Sequence, residues 1–232
     1  EVGKNYDGVL TIEVYTVKFI AIKLDVVHSR RVTDRTQLQA QLFSVTEDIN
    51  IRFRKHVQAD FIVTHGDEVQ GLLKYPCEDL FAVLERYNDA LRPHFVRAGI
   101  GLGTLSTPLQ THAIGMDGPA WHRAKEAIET ASSDRKFVAF QGFGAGEDAV
   151  CTSLGNMLLW QRSRWNDSQR NIIERLEWGM KQKDIAEEMG VSPAAVSKSL
   201  TASGWRHYQE ARKVMRIYLK GDLSWRVMRS AS

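Results

Sequence analysis

The sequence predicts an α+β chain: a mixed sheet covered by helices on one face, followed by an all-α unit that holds a helix-turn-helix. Three observations carry this. Up to Leu105 the apolar runs and amphipathic stretches follow the order β, α, β, β, α, β. Beyond Gly146 every stretch reads helical. Between Gln182 and Leu200 the apolar spacing fits two short helices crossing at a steep angle.

Val17 to Val27 is rich in β-branched and apolar residues and reads as a buried strand, closed by Asp25 and the His28-Ser29-Arg30 turn. Leu38, Leu42, Val45, Ile49, Phe53 and Val57 recur every three or four residues, which predicts an amphipathic helix over 36–57. Phe61 to Thr64 and Val69 to Leu73 are joined by His65-Gly66-Asp67-Glu68, a hairpin. A second helix opens at Pro76 and carries Leu80, Val83, Leu84, Tyr87 and Leu91, and His94 to Leu105 returns as a Gly-rich strand. A helix over 119–131 and a strand over 136–140 complete the sheet. Gln141-Gly-Phe-Gly-Ala-Gly146 is small and flexible in composition, the expected linker. Helices over 148–165, 168–178 and 203–220 surround the helix-turn-helix. The expected organisation is therefore a sheet domain over 17–141, a linker and connector helix over 142–166, and a DNA-binding domain over 167–232. Residues 1–16 are either an appended strand or a dispensable extension.

In the helix-turn-helix, Ile185, Met189, Val191, Val196 and Leu200 supply the apolar positions, and Ala186 the small one where the helices touch. Gly190 admits the left-handed turn, Ser192 caps the second helix and Pro193 opens it. That helix would present Ser192, Ala194, Ala195, Ser197, Lys198 and Thr201 to the major groove of double-stranded DNA. A three-helix unit reused for protein contact is the alternative. Charge agrees with DNA. Residues 161–232 hold 14 Lys or Arg against 8 Asp or Glu, a balance of +6, whereas residues 1–160 hold 17 against 20, a balance of −3. Arg162, Arg164, Arg170, Arg206, Arg212, Lys213 and Arg216 are the expected phosphate contacts. Trp160, Trp165 and Trp178 are expected to pack between helices rather than stack on bases.

Composition excludes several classes. Cys77 and Cys151 lie far apart without metal-ligand spacing, which fits a reducing cytoplasm better than a secreted disulfide scaffold. No run is long and apolar enough to span a bilayer and the first residues lack a signal pattern, so a cytoplasmic protein without a membrane partner is expected. There is no P-loop, no paired-histidine metal motif and no nucleophile elbow.

The carboxylates of the first domain carry the remaining chemistry. Asp25 at a strand end and Asp67 with Glu68 at the neighbouring hairpin tip would meet at one sheet edge. Two such charges about 4 Å apart repel by about 4 kcal/mol at an effective dielectric near 20, so a cation, a nearby Arg or a raised pKa must offset them. Mg²⁺ or Mn²⁺ is one solution, because a hard ion held by one or two carboxylates can position a nucleoside triphosphate. Ordinary hairpin residues beside a strand-end cap are the other.

Ile22-Lys-Leu-Asp25, His65-Gly-Asp-Glu-Val69, Arg97-Ala-Gly-Ile-Gly-Leu-Gly103 and the stretch Ile114-Gly-Met-Asp-Gly-Pro-Ala-Trp-His-Arg-Ala-Lys125 together resemble the class III nucleotidyl cyclase and GGDEF group, and most of all the SatD family. The resemblance implies a ferredoxin-like palm followed by an all-α helix-turn-helix domain. It implies metal ligation by Asp25, Asp67 and the carbonyl of Val26, with Glu68 beside them as a catalytic group. His122, Arg123 and Lys125 would then bind nucleotide phosphate, and catalysis of the cyclase kind would require a homodimer. His65 stands where a GGDEF enzyme has its first Gly, and Val69 where it has Phe.

Three functions follow as expectations. The first is a transcription regulator whose sheet domain senses a metal-bound nucleotide; the second is an enzyme that makes a cyclic or oligomeric nucleotide signal; the third is a palm that only joins two copies of the chain.

Overall fold

The computed structural model describes residues 17–29 and 32–221, so the expected extension over 1–16 and Arg30 of the first turn lie outside the described residues. The chain is α+β. Its elements run β1 (Phe19–Val26), α1 (Arg35–Arg52), β2 (Val57–Val63), β3 (Glu68–Lys74), α2 (Leu80–Ala90), β4 (Val96–Gly103), α3 (Pro119–Ser133) and β5 (Val138–Gln141). Five further helices follow: α4 (Ala145–Arg164), α5 (Asp167–Glu177), α6 (Gln182–Glu188), α7 (Pro193–Ser203) and α8 (Trp205–Lys220). The strands form one sheet in the order β2-β3-β1-β4-β5, in which β4 and β5 are parallel and the other pairs antiparallel.

The first helix is shorter than its periodicity predicts. It ends at Arg52, because Phe53 and its neighbours turn the chain into β2, where Val57 and Phe61 join the core on the α1 side and Ala59, across a register shift, the cluster on the α3 side. Asp34 caps its start by accepting from the Gln37 amide.

The sheet is covered on both faces, not one. Ile20, Ile22, Leu24 and Val26 of β1 face α1 and α2, while Ala21 faces α3. The cause lies in β4. Gly99, Gly101 and Gly103 all point to the α3 side, where an added Cβ at Gly101 would sit 2.2 Å from the Ala120 carbonyl oxygen. With no side chains in between, α3 rests its Ala120 and Ala124 face directly on the strand.

The expected linker is tied down. The Gly142 and Phe143 amides both donate to the Asp148 carboxylate, and the Phe143 ring packs edge-on against Tyr75 and Phe140. Gly146 already belongs to α4. That helix also closes the sheet edge at β5. Asn156 accepts from the Phe137 and Val138 amides and donates to the Val138 carbonyl, and Thr152 accepts from the Phe140 amide. At the other edge, the loop between β4 and α3 latches onto β2, with the Asp60 amide donating to Thr111 and its carbonyl accepting from Ala113.

One buried apolar cluster runs from the sheet through α4 and α8 into α5, α6 and α7. The helical part is thus packed onto the sheet part rather than strung beside it. Of the three tryptophans expected to pack there, only Trp165 does so, against Trp205 and Tyr208, with its indole N–H donating to the Ser203 carbonyl. Trp160 and Trp178 are exposed, because α4 and α5 turn those positions away from the core. No helix among the described residues is long and apolar enough to cross a membrane.

Candidate functional site

Two regions were marked by the sequence, and the fold places them differently. At the sheet end, register pairs Asp25 with Glu68 on one side and with Arg97 on the other. Asp67 lies in the tight turn just before Glu68, where Gly66 takes φ +59. Arg97 Nη1 lies 3.5 Å from Asp25 Oδ2, while Asp25 Oδ1 and Arg97 Nε are buried without a hydrogen-bond partner among the described residues. The Asp25 carboxyl is raised above the ordinary aspartate range, chiefly by burial. Arg97 pulls it back, and the Asp67 and then the Glu68 charge push it further up. Register thus makes Asp25 and Glu68 neighbours at this end of the sheet, with Asp67 one residue before Glu68.

The fit to Mg²⁺ or Mn²⁺ is poor. Arg97 already supplies at Asp25 the positive charge that a metal would bring. Val26, whose carbonyl the resemblance would use, is the last residue of β1, and its side chain lies in the core. The raised Asp25 value has a consequence for stability. A carboxylate whose folded pKa is raised destabilises the fold progressively as pH climbs from its unfolded value through its folded one. Asp25→Asn is therefore expected to melt higher than the wild type at neutral pH, and the gain should vanish in acid. Melting curves across pH test this; a variant that melts lower at every pH would contradict it.

His122, Arg123 and Lys125 do not meet these carboxylates. They lie on the first turns of α3, beside the far end of β4. Arg123 donates to the Leu102 carbonyl at 2.6 Å, five residues from Arg97 and so roughly 16 Å along the strand. His122 sits 2.7 Å from Asp117, and both His122 and Lys125 are exposed. Arg123 is thus engaged with backbone and the loop at Gly142, not with the hairpin.

The second region is α6 and α7. Ile185, Ala186, Val196 and Leu200 are buried as their spacing predicts, and Met189 packs against them. Val191 is 42% exposed, because it follows Gly190 (φ +65) in the turn and leaves the contact between the helices. Ser192 accepts from the Ala195 amide and Pro193 opens α7. Ser192, Ala194, Ala195, Ser197, Lys198 and Thr201 are all exposed. Two of their hydroxyls are engaged: Ser192 in the cap, and Thr201 donating to the Ser197 carbonyl. Lys181 and Lys183, at the start of α6, are exposed and make no ion pair among the described residues. The sequence pattern marks outward-facing residues on the second helix, and for the first helix only its apolar positions.

Several arginines expected to contact phosphate are occupied elsewhere. Arg162 is buried at the end of α4 and donates to Asp89 of α2 and Glu177 of α5, its guanidinium 5.2 Å from the Trp165 ring centre. Arg170 of α5 shares Asp89, and Arg212 of α8 donates to Glu85, which also accepts from the Tyr208 hydroxyl. Arg216 pairs with Glu78 and Asp79. Burial raises the Glu85 carboxyl, and Arg162 and Arg212 oppose the rise. The basic surplus of this half is therefore partly a set of ties between helices. Arg164 and Lys213 are exposed, and among the described residues Arg206 pairs only with the exposed Glu210 of its own helix.

Comparison with known proteins gives three findings. The model of the SatD family matches residues 19–219. A comparison with curated proteins finds no match. Among solved structures, the chain is similar to a regulator of polyketide synthase expression from Bifidobacterium adolescentis, at 11% identity and a TM-score of 0.24, covering 88% of this chain and 85% of that one.

Proposed function

The chain belongs to the SatD family, and from that premise we propose that it is a DNA-binding transcription regulator, with α6 and α7 as its helix-turn-helix. The observation that carries this reading is the exposed, small-residue face of α7 around Lys198, set on a helix pair whose other face is fully packed. Short side chains let a helix approach base edges, and Lys198 would neutralise a phosphate. Lys181 and Lys183 would sit where the first helix of such a pair crosses the backbone. The order β2-β3-β1-β4, with its β-α-β-β-α-β sequence, supports a ferredoxin-like palm as the other part.

In this reading the sheet end is not a metal-nucleotide sensor, and nucleotidyl transfer is the weaker alternative. Arg97 occupies the role of the cation at Asp25, and the groups on α3 lie too far away to hold the phosphates of the same ligand. A homodimer would place two α7 helices on adjacent half-sites.

Fluorescence anisotropy with a labelled random-sequence duplex tests the proposal across a salt series. The wild-type protein should bind with an affinity that falls steeply with salt. Lys198→Ala, and separately Lys181→Ala with Lys183→Ala, should weaken binding and flatten the log–log salt dependence by about one unit per lysine removed. An unchanged slope in both variants, or a wild-type protein that does not bind at low salt, would sink the assignment.

A further inference from the structure

We propose that the outer face of α4 and α8 is the surface on which a second copy of this chain docks. Five large apolar side chains left open to water lie there: Val150, Met157 and Trp160 on α4, Val214 and Ile217 on α8. The two helices are neighbours running in opposite directions. Gln161 donates to the Ser203 carbonyl at 2.6 Å, while earlier in α4 a Cβ on Gly155 would lie 3.5 Å from Cε of Met215, later in α8. Leu154, one turn from Val150 and Met157, and Ala211, one turn from Val214, are half-buried against the core, so the open face is continuous with it. This surface would serve the homodimer of the DNA-binding reading, but the inference does not rest on that reading.

The pattern of α4 is that of a helix with a helical partner. Val150, Ser153, Met157, Trp160 and Arg164 are all exposed and follow one another at three and four residues, the spacing of a coiled-coil seam. From Ala149 to Trp160 there is no charged residue, although one side of the helix faces water for about three turns. A helix face that stays in water ordinarily carries charge. Here Met157 is 68% and Trp160 56% exposed instead.

Area and charge identify the partner as the chain itself. The open parts of the five side chains amount to on the order of 500 Å², at the upper end of what a monomer leaves in water. Two such faces pressed together remove about 1,000 Å², where specific interfaces begin. In a symmetric pair the residues near the two-fold axis meet their own copies, so a charge placed there would repel itself. The centre of this face is uncharged, and charges stand only at its margins: Arg164 and Arg206 at one end, and Glu210 and Lys213 beside Val214. A nucleic acid or an anionic surface would instead call for cations inside the contact. Two antiparallel helix pairs joined in this way make a four-helix bundle.

Sedimentation of the full chain without DNA, from roughly 1 to 100 µM, should show a dimer, as a Kd near the micromolar range requires. The dimer should persist in about 1 M salt, where charges are screened beyond about 3 Å. Met157→Glu and, separately, Val214→Glu should each raise the Kd at least about thirtyfold, the loss expected at the centre of an interface. Both side chains are exposed, so the circular dichroism of the variants should match the wild type. Phe43→Glu, at an exposed apolar position on α1, is the control and should leave association unchanged. A wild-type chain that stays monomeric overturns the proposal, and if that monomer binds phosphatidylglycerol vesicles through Met157 the face belongs to a lipid surface instead. A dimer as tight in both α4 and α8 variants as in the wild type, or one weakened equally by Phe43→Glu, overturns it too. Duplex binding is measured separately, so failure here leaves the helix-turn-helix reading standing, and a chain that binds no duplex can still pair through α4 and α8.

Discussion

Replacing Arg162 by Met is expected to destabilise the protein by about 3–5 kcal/mol, the usual loss when one partner of a buried ion pair is removed. The apolar stem is retained, so the loss is electrostatic. Asp89 would keep only Arg170, Glu177 would keep only Arg212, and Glu85 would be left with Arg212 and the Tyr208 hydroxyl. For a domain of this size the melting temperature should fall by roughly 10 °C or more. The sign of the pH dependence follows from Glu85. Its folded pKa is already raised by burial, and removing Arg162 takes away a charge that holds it down. The deficit should therefore be smallest in acid, where Glu85 is protonated in both folded and unfolded states, and should grow as pH rises through the folded value. Chemical denaturation at several pH values tests both size and sign. A loss under about 1 kcal/mol at neutral pH, the level of a surface pair, would mean that the knot contributes little.

Gly101→Ala is expected to cost as much or more, about 4 kcal/mol. The new Cβ would lie 2.2 Å from the Ala120 carbonyl oxygen and 2.3 Å from the Ala124 amide nitrogen. Both are backbone atoms inside α3, so no side chain can swing aside. The helix would have to lift from the sheet, opening the contact with Ala21 and Leu72. Gly146→Ala is the control. It lies on the first turn of α4 with nothing within 4 Å of the added carbon, and it should be neutral or stabilising by up to about 1 kcal/mol. Equal stability of the two variants would show that α3 is not seated on bare strand.

These two sites mark where sequence reading works and where it stops. The order of elements and the packing of Ile185, Ala186, Val196 and Leu200 were legible because periodicity is a local property of the chain. The second covered face was legible in principle. Glycines at every second position of β4, matched by Ala120, Ala124, Ala127 and Ala131 on α3, spell a helix lying on a strand without side chains between them. Glycine content alone predicts only a Gly-rich strand; its period of two is what predicts the helix lying on it. Arg97 as the counter-charge of Asp25 depends on strand register, a relation between segments 72 residues apart. The arginine ties are further still from local pattern: a count of charges reports surplus, not which carboxylate meets which guanidinium. The supposed linker misled because composition describes the unfolded chain, whereas the Asp148 carboxylate fixes the backbone once folded.

The treatment of the sheet's borders bears on how copies of this chain can associate. An open strand edge is a template on which a second molecule extends the sheet, and the side-chain amide of Asn156 with the hydroxyl of Thr152 already fills those bonding positions along β5. The opposite border is partly filled at Asp60. Assembly by strand addition is thus disfavoured along the β5 border and hindered at Asp60 of the other, so a symmetric pairing of subunits is steered toward helix faces, where the spacing between copies is set by rigid rods rather than by a sheet free to slip in register.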